Sequence, residues 1–265
     1  MIKKYLAFAR TSIKELNEYK AEFLASAFFV YPITIIVSII VWRLVYSNLG
    51  VDSLGGFTLN EIIFYSILVA FIEKLIRIKV SRTSKDIQSG ILSRDLCRPY
   101  SHNIKRFIQD ITKKGTNTLF ALIPLIIAII ILKLQIPKDP INIILTILAL
   151  INAIILVFAI VQIMAYITFW FKANFGFGIM MSIIMDFMSG RTLPISIFPS
   201  WFQTISNFLP FQSLKYIPVS ILLNKFTHIQ ALEYLLIGIA WTILFIFIAK
   251  FMWKKGLKEY EAQGG

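Results

Sequence analysis

The side chains able to do chemistry in this sequence are few, and most of them are cationic. Nine Lys and Arg residues fall between Lys79 and Lys114, in KVSRTSKDIQSGILSRDLCRPYSHNIKRFIQDITKK. Glu73, Lys74 and Arg77 stand just before that stretch, and Asp186 precedes Arg191 by five positions. There are two histidines, His102 and His228, and one cysteine, Cys97. No glycine-rich loop ends in Lys-Ser or Lys-Thr, so the chain has no phosphate-binding loop for ATP. No histidine pair stands at metal-ligand spacing, and no nucleophile stands at recognisable spacing from a base. The lone cysteine excludes an intramolecular disulfide and, within a basic loop, predicts a reduced cytosolic thiol. These residues do not make an enzyme, and neither a catalytic site, a metal nor a cofactor is expected in this chain.

The elements that must position these residues are mostly apolar. The 265-residue chain is 57% hydrophobic and 15% charged, with a mean hydropathy of +0.75. Soluble domains carry about 25% charged residues and lack repeated apolar runs of 18 or more, so this is an integral membrane protein. The net charge of +13 sits beside the apolar runs rather than on one soluble face. It reads as topology determinants and lipid contacts, not nucleic-acid binding.

The predicted architecture is all-α, a single transmembrane domain over 1–265 with six spans and both termini cytoplasmic. Residues 1–22 form an amphipathic surface helix, with Ile2, Tyr5, Leu6, Ala9, Ile13 and Leu16 on its apolar face. It serves either as a plain anchor or as a partner contact. No cleavable signal peptide is read there. Spans follow at Phe23–Tyr46, kinked at Pro32, and at Glu61–Ile78, where Glu73 and Arg77 form an i,i+4 pair in the inner turns. The basic loop, 79–115, contains one helix before Arg98-Pro99 and a second over Asn103–Lys114 ended by Gly115. Further spans are Thr116–Leu134, Ile141–Phe171, a short stretch Phe175–Met188, and Leu232–Met252. The segment 189–231 is apolar but broken by Pro194, Pro199, Pro210 and Pro218. It therefore reads as a re-entrant external element with an interfacial helix marked by Trp201, Ile205, Phe208 and Leu209. Inner segments carry nineteen Lys and Arg against five outside, Lys133, Lys138, Arg191, Lys215 and Lys225, which fixes the orientation.

This distribution leaves the bilayer interior nearly free of charge. Ion-coupled transporters need carboxylates or histidines inside the bundle, and Asp186 is the only acid near a span interior. It either pairs or caps at the outer end of the fifth stretch, or takes part in transport. A protein that moves cargo without an ion site must take its energy from elsewhere, and the basic loop is the place to receive it.

Two motifs carry a resemblance. SGRTLPISIFPSWFQTISNFLPF, Ser189 to Phe211, resembles the signature after the fifth span of type-two ATP-binding-cassette (ABC-2 type) exporter permeases. DIQSGILSRDLCRP, Asp86 to Pro99, is similar to the cytoplasmic motif of a paired-subunit branch of that family. The resemblance covers essentially the whole length. It implies a permease subunit forming half of a translocation path, with cytosolic ATPase subunits, which bind ATP and Mg, docked below. The second permease would more often be a different, homologous chain than a second copy. It further implies that the helix around Ser84 to Leu92 is a coupling helix, with Ser84, Asp86, Gly90, Arg94, Arg98 and Pro99 at the ATPase contact. Gly190, Pro194, Pro199, Trp201 and Pro210 would shape or gate the external exit. Arg94 and Arg98 also read simply as topology signals, and the prolines as fold-determining. A secondary transporter or channel without an ATPase is the competing reading; a lipid-modifying membrane enzyme and an importer subunit have less support. The Ile- and Lys-rich composition points to a bacterial plasma membrane, and no residue selects the transported substrate.

Overall fold

The computed structural model describes residues 7–14, 25–76, 81–135, 137–171 and 175–260. Most of the expected N-terminal surface helix, the inner residues Arg77 and Lys79, and the turn 172–174 lie outside the described residues. What is described is almost wholly helical, as apolar segments in a medium without water must be, because each backbone N–H and C=O needs an internal partner. Residues 7–14 are helical, with Ile13 exposed and Ser12 buried.

Helix α1 (Tyr31–Leu49) follows a π-helical turn at Ser26–Val30. Pro32 sits in its first turn, where a missing N–H removes no helical bond, so the irregularity expected at Pro32 is taken up by the turn before it. The loop after α1 holds a small antiparallel hairpin that the sequence reading did not include: β1 (Ser53–Leu54) pairs with β2 (Phe57–Thr58), Leu54 opposite Phe57. Helix α2 (Leu59–Ile76) is the hub. Ile62, Ile63, Phe64, Tyr65, Ile67 and Leu68 are all buried, so neighbours enclose it on every side. Tyr31 donates to the Ile67 carbonyl at 2.9 Å, and Trp42 Nε1 donates to Ser66 Oγ at 2.9 Å, closing α1 onto α2.

The basic loop forms two short helices, α3 (Ser81–Gln88) and α4 (Ile91–Leu96). They are separated at Gly90, whose φ of +74° is a left-handed turn that glycine makes without strain. Helix α5 (His102–Ile131) then runs unbroken through Gly115. The separate amphipathic helix ended by Gly115 is thus corrected to the first turns of one 30-residue helix. A glycine in a helix interior costs about 1 kcal/mol against alanine, too little to stop a helix supported on both sides. Helix α6 (Pro140–Tyr166) and the last helix, α10 (His228–Glu259), pack along each other, with Thr242 Oγ1 donating to Asn152 Oδ1 at 2.8 Å in the seam. Over their apolar middles α5 and α10 leave hydrocarbon uncovered: Ile131 is 71% exposed and Phe247 69%. A face of this composition is built for lipid.

Among the described residues, four helical stretches are long and apolar enough to cross a membrane: Phe28–Leu49, His102–Ile131, Pro140–Phe169 and His228–Glu259. Helix α2 has 18 residues and three charged side chains, and α7 (Phe175–Met188) has 14. At 1.5 Å per residue α7 is about 21 Å long, short of the roughly 30 Å of hydrocarbon. The segment after it is broken into α8 (Ser200–Phe208), α9 (Tyr216–Leu222) and single 3₁₀ turns, and Pro194, Pro199 and Pro210 fall at the breaks. The break expected at Pro218 is corrected, because Pro218 lies in the first turn of α9, where its missing N–H removes no helical bond.

Candidate functional site

Two clusters of charge stand out, one at the basic-loop end and one enclosed by the helices. The first is built on Asp95, which is fully buried. Its carboxylate accepts from Lys105 Nζ at 2.7 Å, His102 Nδ1 at 2.8 Å and the Tyr100 hydroxyl at 2.8 Å. A carboxylate only accepts, so His102 carries its proton on Nδ1. Its other nitrogen, Nε2, lies 3.5 Å from Asp86, and Asp86 is paired with Arg106. Arg82 and Asp110 add a pair at 2.8 Å. The His102 ring lies parallel to Trp253 with centroids 6.0 Å apart. Beneath, Ile87 and Leu92 pack with Tyr166, Phe169 and Leu257, and Ser93 shares a 3.1 Å hydrogen bond with Tyr260. The loop is therefore not a flexible tether. It is a pedestal fixed to α5, to the end of α6 and to the end of α10.

Burial alone would keep a carboxylic acid protonated. At Asp95 burial works in that direction, but the hydrogen bonds from Lys105, His102 and Tyr100 outweigh it and hold the carboxyl at about 2. The charge is thus locked into the pedestal at neutral pH.

The pedestal divides the residues singled out from the sequence. Ser84 and Asp86 face inward, 4% and 3% exposed, while Gly90 is half-buried at the turn. Arg94, Arg98 and Pro99 are exposed, together with Lys85 and Leu96. His102, Asp95 and Arg106 were not singled out as site residues. Their partners lie seven to twenty positions away, mostly beyond the spacing that marks a pair on one helix.

The second cluster joins residues that the sequence assigned to different membrane faces. Lys215 Nζ lies 2.6 Å from Glu73 Oε2 and 2.9 Å from Asp186 Oδ1. Arg191 pairs with Asp186 and lies 3.5 Å from Glu73. One expectation is corrected here: Glu73, assigned to the inner side, is in contact with Arg191 and Lys215, assigned to the outer. The reason is the length of α7. A helix of about 21 Å ends partway, so Ser189 and Gly190 begin the broken segment from within the bundle. The Tyr65 hydroxyl donates to the Gly190 carbonyl at 2.6 Å, and Tyr216 N donates to Ser189 O at 3.0 Å. Gly190 has φ +77°, and a Cβ there would stand 2.7 Å from the Tyr65 hydroxyl. From this point the chain climbs to the hairpin, where Ser196 donates to Gly55 O at 2.7 Å. It then returns to Lys215 and leaves again through α9 to Lys225, whose ammonium is 2.6 Å from Glu61.

Among the residues expected at the exit, Gly190, Pro194 and Pro210 are buried in this broken segment, and Pro199 and Trp201 are exposed. Trp201, Ile205 and Phe208 share the uncovered face of α8, while Phe202 and Ser206 face inward. Among the described residues no group of acids, histidines and cysteine could hold a metal ion.

The profile of the ABC-2 family transporter protein matches residues 32–264. The chain belongs to this family. It is a permease subunit of an ABC transporter, a multi-pass membrane protein of a family that typically lacks an ATPase domain of its own and implies an ATPase partner. A comparison with curated proteins finds no match.

Proposed function

We propose that this ABC-2 permease is half of an ATP-driven exporter in a bacterial plasma membrane, and that the basic-loop pedestal is where it meets its ATPase. The observation that carries the reading is the division of the loop into a locked interior and an exposed rim. A coupling element must transmit force, so it must be rigid on the side that meets the membrane domain and accessible on the side that meets the motor. Asp86 and Asp95 supply the rigidity through His102, Arg106 and Lys105. Arg94, Arg98 and Pro99 supply the contact, and ATP with Mg is held by the ATPase. The six-span arrangement with cytoplasmic termini follows if α2 and α7 also cross, α7 being completed by the re-entrant segment. The Asp86–Pro99 motif supports pairing with a different, homologous permease.

Affinity purification of the tagged chain in mild detergent, with mass spectrometry of what stays bound, tests this. An ATPase subunit and a related permease are expected. The double variant Arg94→Glu/Arg98→Glu should release the ATPase while leaving the melting temperature of the permease unchanged. A chain that purifies alone from gentle preparations of its native membrane would sink the proposal.

The enclosed charge cluster favours one second reading, ion-coupled transport without an ATPase. Against it, the cluster holds two acids and two bases in mutual contact, a balanced structural set rather than a spare titrating group. Transport that survives loss of ATP hydrolysis but stops when the proton gradient is collapsed would reverse this preference.

A further inference from the structure

A cavity of about 580 Å³ lies at the hairpin end of the bundle, where Thr58, Glu61, Gln135, Asn224 and Lys225 line it. Asn224 closes α9 with φ +56°, a left-handed conformation that asparagine adopts more readily than most residues. Its side-chain carbonyl accepts from Asn142 Nδ2 at 2.7 Å, so the chain leaving α9 rests on the first turn of α6. Behind this contact the polar groups of α6 are not all used. Asn142 is 3% exposed and Thr146 6%, and among the described residues neither Asn142 Oδ1 nor Thr146 Oγ1 has a hydrogen-bond partner. Helical hydroxyls elsewhere in the chain satisfy themselves: Thr34, Ser38, Ser66 and Thr116 each donate to the carbonyl four residues back. The Asn142 carbonyl offers Thr146 the same bond, and the Thr146 hydroxyl does not take it. Leaving a buried hydroxyl unpaired is destabilising, so its orientation calls for a partner on the other side. About 9 Å further down α6 the packing is different. A Cβ on Gly238 would stand 2.9 Å from Asn152 Nδ2 and 3.0 Å from Ser213 Oγ, and Thr242 bonds Asn152 directly. Nothing fits between the elements there.

We propose that Asn142 and Thr146 bind an ordered water that exchanges with the cavity past Asn224 and completes the joint between α6 and the end of the broken segment. The spacing suits one molecule. Residues four apart on a helix have Cβ atoms about 5–6 Å apart, a gap that two hydrogen bonds of about 2.8 Å span through a single oxygen. The donor set suits water as well. Water donates to Asn142 Oδ1, which only accepts, and takes the proton of the Thr146 hydroxyl, with its second proton left for the cavity side. A cation fits poorly, because the hydroxyl proton would find no acceptor, and the carboxylate lining the cavity, Glu61, is held by Lys225. An apolar occupant would leave both polar groups orphaned. The contacts along α6 are then direct at Asn152 and bridged at Thr146, and only the bridged one exchanges with solvent. This site is independent of the exporter reading, since it lies on α6 and α9 and not on the pedestal.

Thr146→Val keeps the shape of the side chain and removes only the hydroxyl, so the sign of its effect decides. With a bound water, the purified permease should melt about 2–4 °C lower than wild type, the shift that one lost hydrogen bond produces in a chain of this size. A hydroxyl buried dry gives the opposite result: its removal leaves the melting temperature unchanged or raises it, and either outcome overturns the proposal. A second measurement needs no variant. A millisecond radiolysis pulse in heavy-oxygen water generates radicals from bound water, which label the side chains beside it. Leu145 adjoins Thr146, and Leu150 is equally half-buried on the same helix. Wild-type Leu145 should take up heavy oxygen severalfold more than Leu150, and Thr146→Val should bring the two level. Equal uptake at both leucines in wild type overturns the proposal, including the case in which Thr146→Val fails to fold.

Discussion

At the scale of single residues, the most consequential side chain is Asp95. Replacing it with Asn leaves the Lys105 ammonium beside a buried amide that cannot match its charge. Breaking a buried ion pair by removing one partner costs about 3–5 kcal/mol, and Asp95→Asn should lower stability by about 3 kcal/mol in detergent. The pH dependence has a definite sign. A folded carboxyl held at about 2 against about 3.9 when unfolded contributes fully above pH 4. That contribution is lost as the pH falls toward 2. Melting temperatures of wild type and Asp95→Asn should therefore converge over that window, and a constant gap would show that the carboxylate charge is not the source. A second test falls at Gly190. Ala there meets both a positive φ and the Tyr65 hydroxyl at 2.7 Å, which should cost about 1–3 kcal/mol. Tyr65→Phe, which loses only the bond to the Gly190 carbonyl, should cost about 1 kcal/mol; thermal melting that ranks them the other way would contradict this placement. Gly190 was singled out from its motif, whereas Asp95, within the Asp86–Pro99 motif, was passed over. An acid among nine cations reads as solvated, and nothing local says that Tyr100, His102 and Lys105 will close around it.

At the scale of elements, apolar run length and proline placement were informative where a segment's structure is decided locally. The fifth apolar stretch ends at Met188 in the sequence reading and in the fold alike, because the polar Ser189 and the left-handed Gly190 follow it. The breaks at Pro194, Pro199 and Pro210 fall between short helices, since proline removes a donor wherever it stands. Gly115 shows the opposite case: a helix stop was inferred from a residue that only weakens a helix, and the supported helix continued. With nothing within 4 Å of a Cβ at that position, Gly115→Ala should raise stability by up to about 1 kcal/mol, read as a higher melting temperature. A drop would mean that the chain needs glycine's freedom there after all. The hairpin at Ser53–Thr58 was missed because strands of two residues carry no alternation to detect. Its Gly55-Gly56 centre, a good two-residue turn, was the available signal.

At the scale of the whole molecule, what the sequence could not show is how deep the broken segment reaches. Counting Arg191 and Lys215 as outer charges assumed that a chain leaving the fifth helix is already at the surface. Because α7 is short, it is instead level with Glu73, fourteen positions and about 21 Å down α2 from Leu59. The cluster of Glu73, Asp186, Arg191 and Lys215 thereby binds the hub helix, the short helix and the re-entrant segment into one unit, and it is electrically neutral as a set. That neutrality makes a prediction no single side chain could. Lys215→Met should be severely destabilising, by about 3–5 kcal/mol, because Glu73 and Asp186 then lose the ammonium that bridges them. Adding Glu73→Gln removes the excess negative charge, so the double variant should be more stable than Lys215→Met by itself. The interaction energy from a double-mutant cycle should reach about 1–3 kcal/mol. Thermal unfolding of the four proteins in one detergent measures it. If the two substitutions simply add, Glu73 and Lys215 are not coupled, and the re-entrant segment is held in place by its prolines and by Tyr65 rather than by charge.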